Sequence, residues 1–498
     1  MKKNAKILLA SAAGIAVLGV TVTALVLTAP RPEEETSSTP DIHESVDLFN
    51  YAADDISKLT ISNENGEFAI NRLGMEKWGI DEIPEDYANT AVYSTVMKNA
   101  AELTALQKVE ENSGDLGKYG LDKPTSEFSL DFKDGKYDSI KCIVGNKNEG
   151  AGGWYFKLGD SDTVYLVNEN DILFSQGKYL DYMLLSGFIP SFDGDNDVVS
   201  RLRISRKDLD RDIVLDKLPD ADPELENTNV YVGYEISSHH DVLADDEKDM
   251  GILYGLFELV ASSAEAINPT AEQLAEYGLD DPYCSAGMVL NDEVVKIDIG
   301  NAIYAVNSET GAVTDEITGY YGKLQGRDVV YVFPIDKLPW VKITVDDILY
   351  TQFLTPYIYN IDTVTFANGE GESHTVKIVG NDSDTATFTL DGEKQLYGPD
   401  FRSFYRYLLS CHAEKIYVGE LTEDNTLIGS FEYKYRRSHD GTQGDGVDTV
   451  ELYSSEEDLT CIIAVNGQVR YKVRRVYGVR YQTNFEAILN GGNIQEEY

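Results

Sequence analysis

The chain has 498 residues with 86 acidic and 42 basic side chains, a formal net charge of -44, 42% hydrophobic residues and 10% aromatics. That length exceeds what one core organises, and the apolar content excludes wholesale disorder, so several packed domains are expected. The acidity disfavours nucleic acid, whose phosphates it would repel.

The first element is apolar. Lys2, Lys3 and Lys6 precede an uncharged run from Ile7 to Ala29, long enough as a helix to cross a hydrocarbon layer of about 30 Å. Basic residues ahead of such a span predict a cytoplasmic tail over 1–6, a transmembrane helix over 7–29 and an extracytoplasmic remainder, making a single-pass protein of the cell membrane. The alternative is a cleaved leader. Cutting after Ala24 would leave Leu25-Val26-Leu27 on the mature terminus, and cutting after Ala29 would place Pro30 immediately behind the scissile bond. Residues 30–50, rich in Pro, Ser, Thr and Glu, read as a flexible linker.

The remainder divides by internal repetition into modules over 51–192, 193–356 and 357–498. In the first, Lys58–Ile61 and Glu67–Ile70 form a hairpin, Trp78 starts a third strand, and Val92, Val96, Ala100 and Leu103 mark one face of a helix. A turn follows, Tyr119-Gly120-Leu121-Asp122-Lys123-Pro124, then alternating Phe128, Leu130 and Phe132, then Gly145-Asn146, then strands through Trp154–Leu158 and Thr163–Val167. The second module repeats this order. Leu202–Ile204 and Val230–Tyr234 precede a helix from about Asp249 carrying Ile252, Leu253, Leu256, Leu259 and Val260. The turn returns as Tyr277-Gly278-Leu279-Asp280-Asp281-Pro282, followed by Met288–Leu290, Gly300-Asn301 and strands through Tyr320–Leu324 and Val329–Phe333. Glycine supplies the positive φ such turns need, and proline sets the approach to the next strand, so these positions are structural rather than chemical.

The third module has strands at Asp362–Phe366, His374–Ile378 and Ala386–Leu390 and a helix through Phe401, Phe404, Tyr405, Leu408 and Leu409. Strands at Ser430–Tyr435, Thr449–Tyr453, Leu459–Val465 and Val469–Val473 complete it, without the tyrosine-glycine-leucine turn. It reads as a diverged or capping copy. The expected fold class is therefore α+β: repeated antiparallel β-sheet modules, each packed with an amphipathic helix, after one N-terminal transmembrane helix.

The two turns and their following Gly-Asn pairs resemble the bacterial domain-of-unknown-function family 4340 over roughly residues 56 to 350, and the third module departs from that pattern. The resemblance implies a membrane-anchored extracytoplasmic protein associated with ABC-type transport systems of the gliding class. It brings no catalytic residues.

Chemistry was sought residue by residue. Asp193, Asp195 and Asp197 alternate like calcium ligands, but Val198 stands where the loop glycine belongs and Ile204 where the bidentate glutamate belongs. His239, His240, Asp241, Asp245 and Asp246 could supply a metal or a base, yet adjacent histidines point apart, so an exposed loop is expected. Cys142, Cys284, Cys411 and Cys461 are scattered without metal spacing, and buried thiols are expected, notably at Cys142 and Cys461. Gly150–Gly153 reads as a hairpin tip, and no nucleophile motif is present. The 32 tyrosines suit half-exposed strands and sheet packing, or a sugar-binding face. No cofactor is expected. The favoured reading is a non-catalytic accessory or scaffold with membrane and protein partners and no nucleic acid; a cell-envelope glycan-binding module and an unrecognised envelope hydrolase are the alternatives.

Overall fold

A computed structural model describes residues 45–190, 193, 196–218, 233–436, 446–455 and 459–496. The apolar run 7–29 lies outside them, as do the segment 1–6 expected to be a cytoplasmic tail and most of the expected linker. Among the described residues no helix is long and apolar enough to cross a membrane.

Among these residues the strands form three antiparallel sheets of nine strands each. The first comprises β1 (Val46–Asn50), β2 (Ile56–Asn63), β3 (Gly66–Gly74), β4 (Lys77–Gly79), β5 (Glu102–Glu110), β6 (Ser126–Phe132), β7 (Ile140–Asn148), β8 (Gly153–Leu158) and β9 (Val164–Asn168). The second comprises β10 (Val199–Arg206), β11 (Ile213–Lys217), β12 (Tyr234–Ile236), β13 (Val242–Leu243), β14 (Ser263–Ile267), β15 (Cys284–Leu290), β16 (Glu293–Val306), β17 (Val313–Leu324) and β18 (Val329–Pro334). The third comprises β19 (Ile361–Asn368), β20 (Ser373–Val379), β21 (Thr387–Leu390), β22 (Lys394–Gln395), β23 (Lys415–Ile416), β24 (Leu427–Tyr435), β25 (Val447–Ser454), β26 (Thr460–Val465) and β27 (Gln468–Arg474).

Eight strands keep one order in all three. The first sheet runs β4-β3-β2-β6-β7-β8-β9-β5, the second β12-β11-β10-β15-β16-β17-β18-β14, and the third β21-β20-β19-β24-β25-β26-β27-β23. In each, three strands form a meander, a helix carries the chain to a strand at the far side (β5, β14, β23), the next strand returns to pair beside the first (β6, β15, β24), and three more run outward to meet the far strand. The helices are α1 (Thr90–Ala101), α2 (Asp246–Phe257) and α3 (Gly398–Leu409). The third module is thus a full copy in topology although its turn chemistry differs.

The ninth strand differs between copies. β1 extends the first sheet beyond β5, whereas β13 and β22 extend the opposite edge of the other two. β1 falls inside the stretch expected to be a linker. Val46 pairs with Ala105 and Asn50 with Glu102, so this stretch supplies a sheet edge and not only a tether.

The helices follow the predicted faces with shifted ends. In α1, Val96 and Ala100 are buried with Tyr93 and Met97, while Leu103 belongs to β5. Helix α2 begins at Asp246 with the Asp245 side chain accepting from Glu247 N, and it ends before Leu259 and Val260. Of the strand expected over 230–234, only Tyr234 lies among the described residues, opening β12. A sixteen-residue helix, here α4 (Arg475–Asn490), was not anticipated. Its Gly478 explains both facts. Glycine weakens the helical signal, yet a Cβ there would lie 2.8 Å from Cys461 Sγ, so the helix packs against β26 only because that side chain is missing.

Tyrosine is a core residue in this fold. Tyr93, Tyr331, Tyr407, Tyr433, Tyr477 and Tyr481 are fully buried, and several satisfy their hydroxyls on backbone carbonyls, as Tyr407 does on Tyr477 O at 2.6 Å. The tyrosine abundance therefore fills sheet-to-helix layers, where a large ring with a polar tip can both pack and hydrogen-bond.

One exposed pair makes the third module sensitive to pH. His374 on β20 holds Asp391 Oδ2 at 2.7 Å through Nδ1 and Glu372 Oε1 at 3.3 Å through Nε2, with the Phe366 and Phe485 rings beside it. The Asp391 hydrogen bond raises the imidazole pKa above its ordinary value, despite opposing desolvation. The same bond holds the Asp391 carboxyl below its ordinary range. A raised histidine pKa stabilises the fold fully below the unfolded value near 6.5, and that contribution is lost as pH rises through the folded value. Unfolding midpoints of wild type and His374→Gln should therefore differ near pH 6, by no more than about 1 kcal/mol for an exposed pair. They should converge by pH 8 to 9, and a pH-independent gap would exclude this origin.

Candidate functional site

The two tyrosine-glycine-leucine turns are helix C-caps. Leu121 N donates to Leu116 O at 3.1 Å and Gly120 N to Gly117 O at 3.0 Å; in the second module Leu279 N donates to Leu274 O at 2.8 Å and Gly278 N to Ala275 O at 3.1 Å. This pair of bonds is the Schellman arrangement, which requires a left-handed residue after the helix and places two apolar side chains together. Gly120 has φ +73 and Gly278 φ +68, and leucine occupies the paired positions. Each turn sits on the Gly-Asn pair of the neighbouring strand. A Cβ on Gly145 would lie 2.2 Å from Tyr119 O, and one on Gly300 would lie 2.1 Å from Tyr277 O. Tyr119 packs on Tyr155 at 4.8 Å and Tyr277 on Tyr321 at 4.6 Å between ring centroids. Asp122, Pro124, Asp280 and Pro282 lead on into β6 and β15. These residues close the sheet's second face.

The junctions between modules repeat as closely as the modules do. Ala261 N donates to Leu185 O at 2.8 Å, and Ala413 N donates to Thr351 O at 2.9 Å. The acceptors stand seventeen residues beyond Asn168 and Pro334, the ends of β9 and β18; the donors stand two residues before Ser263 and Lys415, the starts of β14 and β23. The tail of each module thus docks at the edge strand of the next. At the first junction the Arg327 guanidinium lies over the Tyr87 ring at 4.8 Å and the Phe188 ring at 5.4 Å, while Phe188 packs on Tyr331 at 4.9 Å. At the second, Phe353 stacks on Tyr471 at 4.4 Å and Ile416 N donates to Asp346 Oδ1 at 3.0 Å. In the first module β1 takes the corresponding edge of β5. In the third, α4 packs against α3 and the sheet in the place of a departing tail.

The groups considered for chemistry are tied down otherwise. Asp197 Oδ1 accepts from Asn291 at 2.8 Å and its Oδ2 from Asp193 N at 2.8 Å; Asp195 lies outside the described residues. His239 is buried with Nδ1 against Ser238 Oγ at 2.8 Å, and burial lowers its pKa. His240 and Asp241 form a positive-φ turn between β12 and β13. Among the described residues no cluster of three or more His, Cys, Asp or Glu side chains is arranged to hold a metal ion. All four cysteines are free and buried, and burial pushes the Cys284 thiol up to about 12, far from the lowered values of reactive thiols. Gly150 to Gly152 form the tip between β7 and β8.

Open clefts among the described residues include the following pair. One of about 430 Å³ at the second junction is lined by Thr351, Ser410, His412, Glu414, Arg474 and Glu496. Glu414 pairs with Arg474 at 2.6 Å and Glu496 with Arg406 at 2.6 Å, the latter holding the Glu496 pKa down to about 2. The other, about 480 Å³, lies across β10, β15 and β16 beside Arg201, Arg203 and Lys296. Its cations are paired with Asp216, Asp212 and Asp298.

A projecting arm is the most distinctive surface. In the first module Asn146 and Trp154 bracket a short tip, but in the second the strands continue past Asn301 and return only at Tyr320. Tyr304 faces Ile317 and Val306 faces Val313 across this ribbon. Tyr304, Val306 and Val313 are 45%, 61% and 69% exposed. The arm was missed from sequence although a signal existed: the unequal spacing between corresponding Gly-Asn pairs and the following aromatic strands.

The family described as Domain of unknown function (DUF4340) matches residues 88–178, from just before α1 to ten residues past β9. That span is shorter than the sequence resemblance suggested and omits the second turn. No curated protein and no solved structure matches the chain.

Proposed function

We propose that the chain is a non-catalytic extracytoplasmic scaffold, held at a cell membrane by the segment 7–29 and working with the subunits of an ABC-type complex. The observation that carries this reading is the repeated junction. Domain interfaces within a chain are mobile by default unless well packed, and here each junction has a backbone hydrogen bond and an aromatic contact. Such an array holds its surfaces at fixed separations, which is what a spacer or assembly platform requires. The uncharged run behind three lysines supports the membrane placement.

The test uses the full-length chain with a C-terminal tag, recovered from detergent-solubilised membranes of the producing cells. Co-purification of an ATPase and a permease in stable proportion is expected. Recovery of the chain without them, together with retention on isolated cell wall in high salt, would replace this reading with glycan binding; turnover of cell-wall material would replace it with hydrolysis.

A further inference from the structure

We propose that the β16–β17 arm is a docking element which seats its apolar face in a cleft rimmed by lysine or arginine on a protein partner. The inference rests on the scaffold reading and deepens it.

The arm stands clear of its sheet. β15 pairs with β16 only as far as Ile299, and β18 pairs with β17 only from Gly319 onward, so beyond these points the ribbon has no other strand partner among the described residues; Ala302 and Ile317 at its base still pack on the core, and Tyr304, Val306 and Val313 further out are exposed. Cross-strand partners share a face, which puts Tyr304 with Ile317 and, beyond a register shift, Val306 with Val313. An isolated two-stranded ribbon is marginal in water, and an apolar stripe held in solvent on one is an interaction feature rather than a packing one. The fold does not need this extension, because the first module turns over at Asn148–Gly153 within the same strand order.

Charge selects the partner. From Gly300 to Gly319 the chain has Glu309, Asp315 and Glu316 and not one lysine or arginine. All three carboxylates are exposed beside the stripe. In an assembly, an apolar core with complementary charge at its rim gives both burial and orientation. An anionic lipid surface and a second acidic copy of this chain would each be repelled.

The experiment places a benzophenone amino acid at Val306 in the full-length chain, with a control at Val379, an exposed position on β20. Photolysis is carried out in native membranes and the adduct peptide is identified by mass spectrometry. The expected adduct joins position 306, and not 379, to a different protein, at a peptide bearing lysine or arginine. It should fall at least about ten-fold in the triple variant Glu309→Lys, Asp315→Lys, Glu316→Lys, whose tip is solvent-exposed and whose thermal unfolding should match wild type. An adduct with lipid, with a second copy, or unaffected by charge reversal overturns the proposal, as does no adduct. A further variant, with Ala302–Thr318 replaced by the short tip of the first module, separates the two claims. If it still recovers the ATPase and permease at the wild-type level, the scaffold reading stands and the arm proposal falls; if it loses them while remaining folded, the arm is the contact.

Discussion

Gly278→Ala is expected to destabilise the second module by about 2–5 kcal/mol, summing a left-handed backbone cost of about 1–2 and an overpacking cost of about 1–3. The residue has φ +68, and a Cβ there would lie 2.4 Å from Asn301 Oδ1 and 3.1 Å from Asn301 N. Asn301 cannot simply turn aside, because its Nδ2 donates to Glu276 O at 2.9 Å and its backbone N to Tyr277 O at 2.8 Å. The control is Gly311→Ala on the arm. Its φ is +69 but the added carbon meets open space, so only the conformational cost of about 1–2 kcal/mol applies. Denaturant midpoints of the two variants, with unchanged slopes, measure the difference. Equal losses would mean that the cap is not braced against the Gly-Asn pair.

Trp340→Ala should cost about 3–5 kcal/mol, the range for removing a fully buried large aromatic side chain. Trp340 has no exposed surface and follows Pro339 in a 3₁₀ turn that packs on α2. That contact depends on Gly255, where a Cβ would lie 2.6 Å from Pro339 Cγ. The indole N–H is buried with no hydrogen-bond partner among the described residues, so the anchor acts chiefly through apolar burial. Trp340→Phe should therefore retain most of the stability, since it removes an unsatisfied donor along with part of the ring. Chemical denaturation of both variants gives the ratio, and amide exchange should show the loss first in 335–351, the tail that reaches the third module. A phenylalanine variant as damaged as the alanine one would point to a polar role for the indole instead.

Legibility followed the range of the physics. Strand alternation and the turns at Tyr119 to Pro124 and Tyr277 to Pro282 are local, and they locate the strands with strong alternation, closely in the third module, but they leave out β5, β11, β14 and β23 and cut short β15 and β17. The α3 helix was also legible, because its apolar residues recur at helical spacing behind Gly398-Pro399. α4 was not, since Gly478 and its β-branched neighbours look unhelical until the sheet surface beneath them is known. β1 was hidden for a related reason: five residues next to a polar linker become a strand only when β5 offers an unpaired edge.

The same division holds for function. Turn chemistry and two-residue alternation are written in adjacent residues, so they settle the repeat, its antiparallel sheets and the structural role of its glycines. Strand order, the seventeen-residue offset that makes each tail reach the next edge strand, the Arg327 clamp between rings from two modules, and the isolation of the arm all depend on contacts between residues far apart in the chain. Such contacts leave no local periodicity, because they are selected by shape and burial after the sheets exist. Only the packed structure could therefore decide which exposed apolar residues are left without a neighbour.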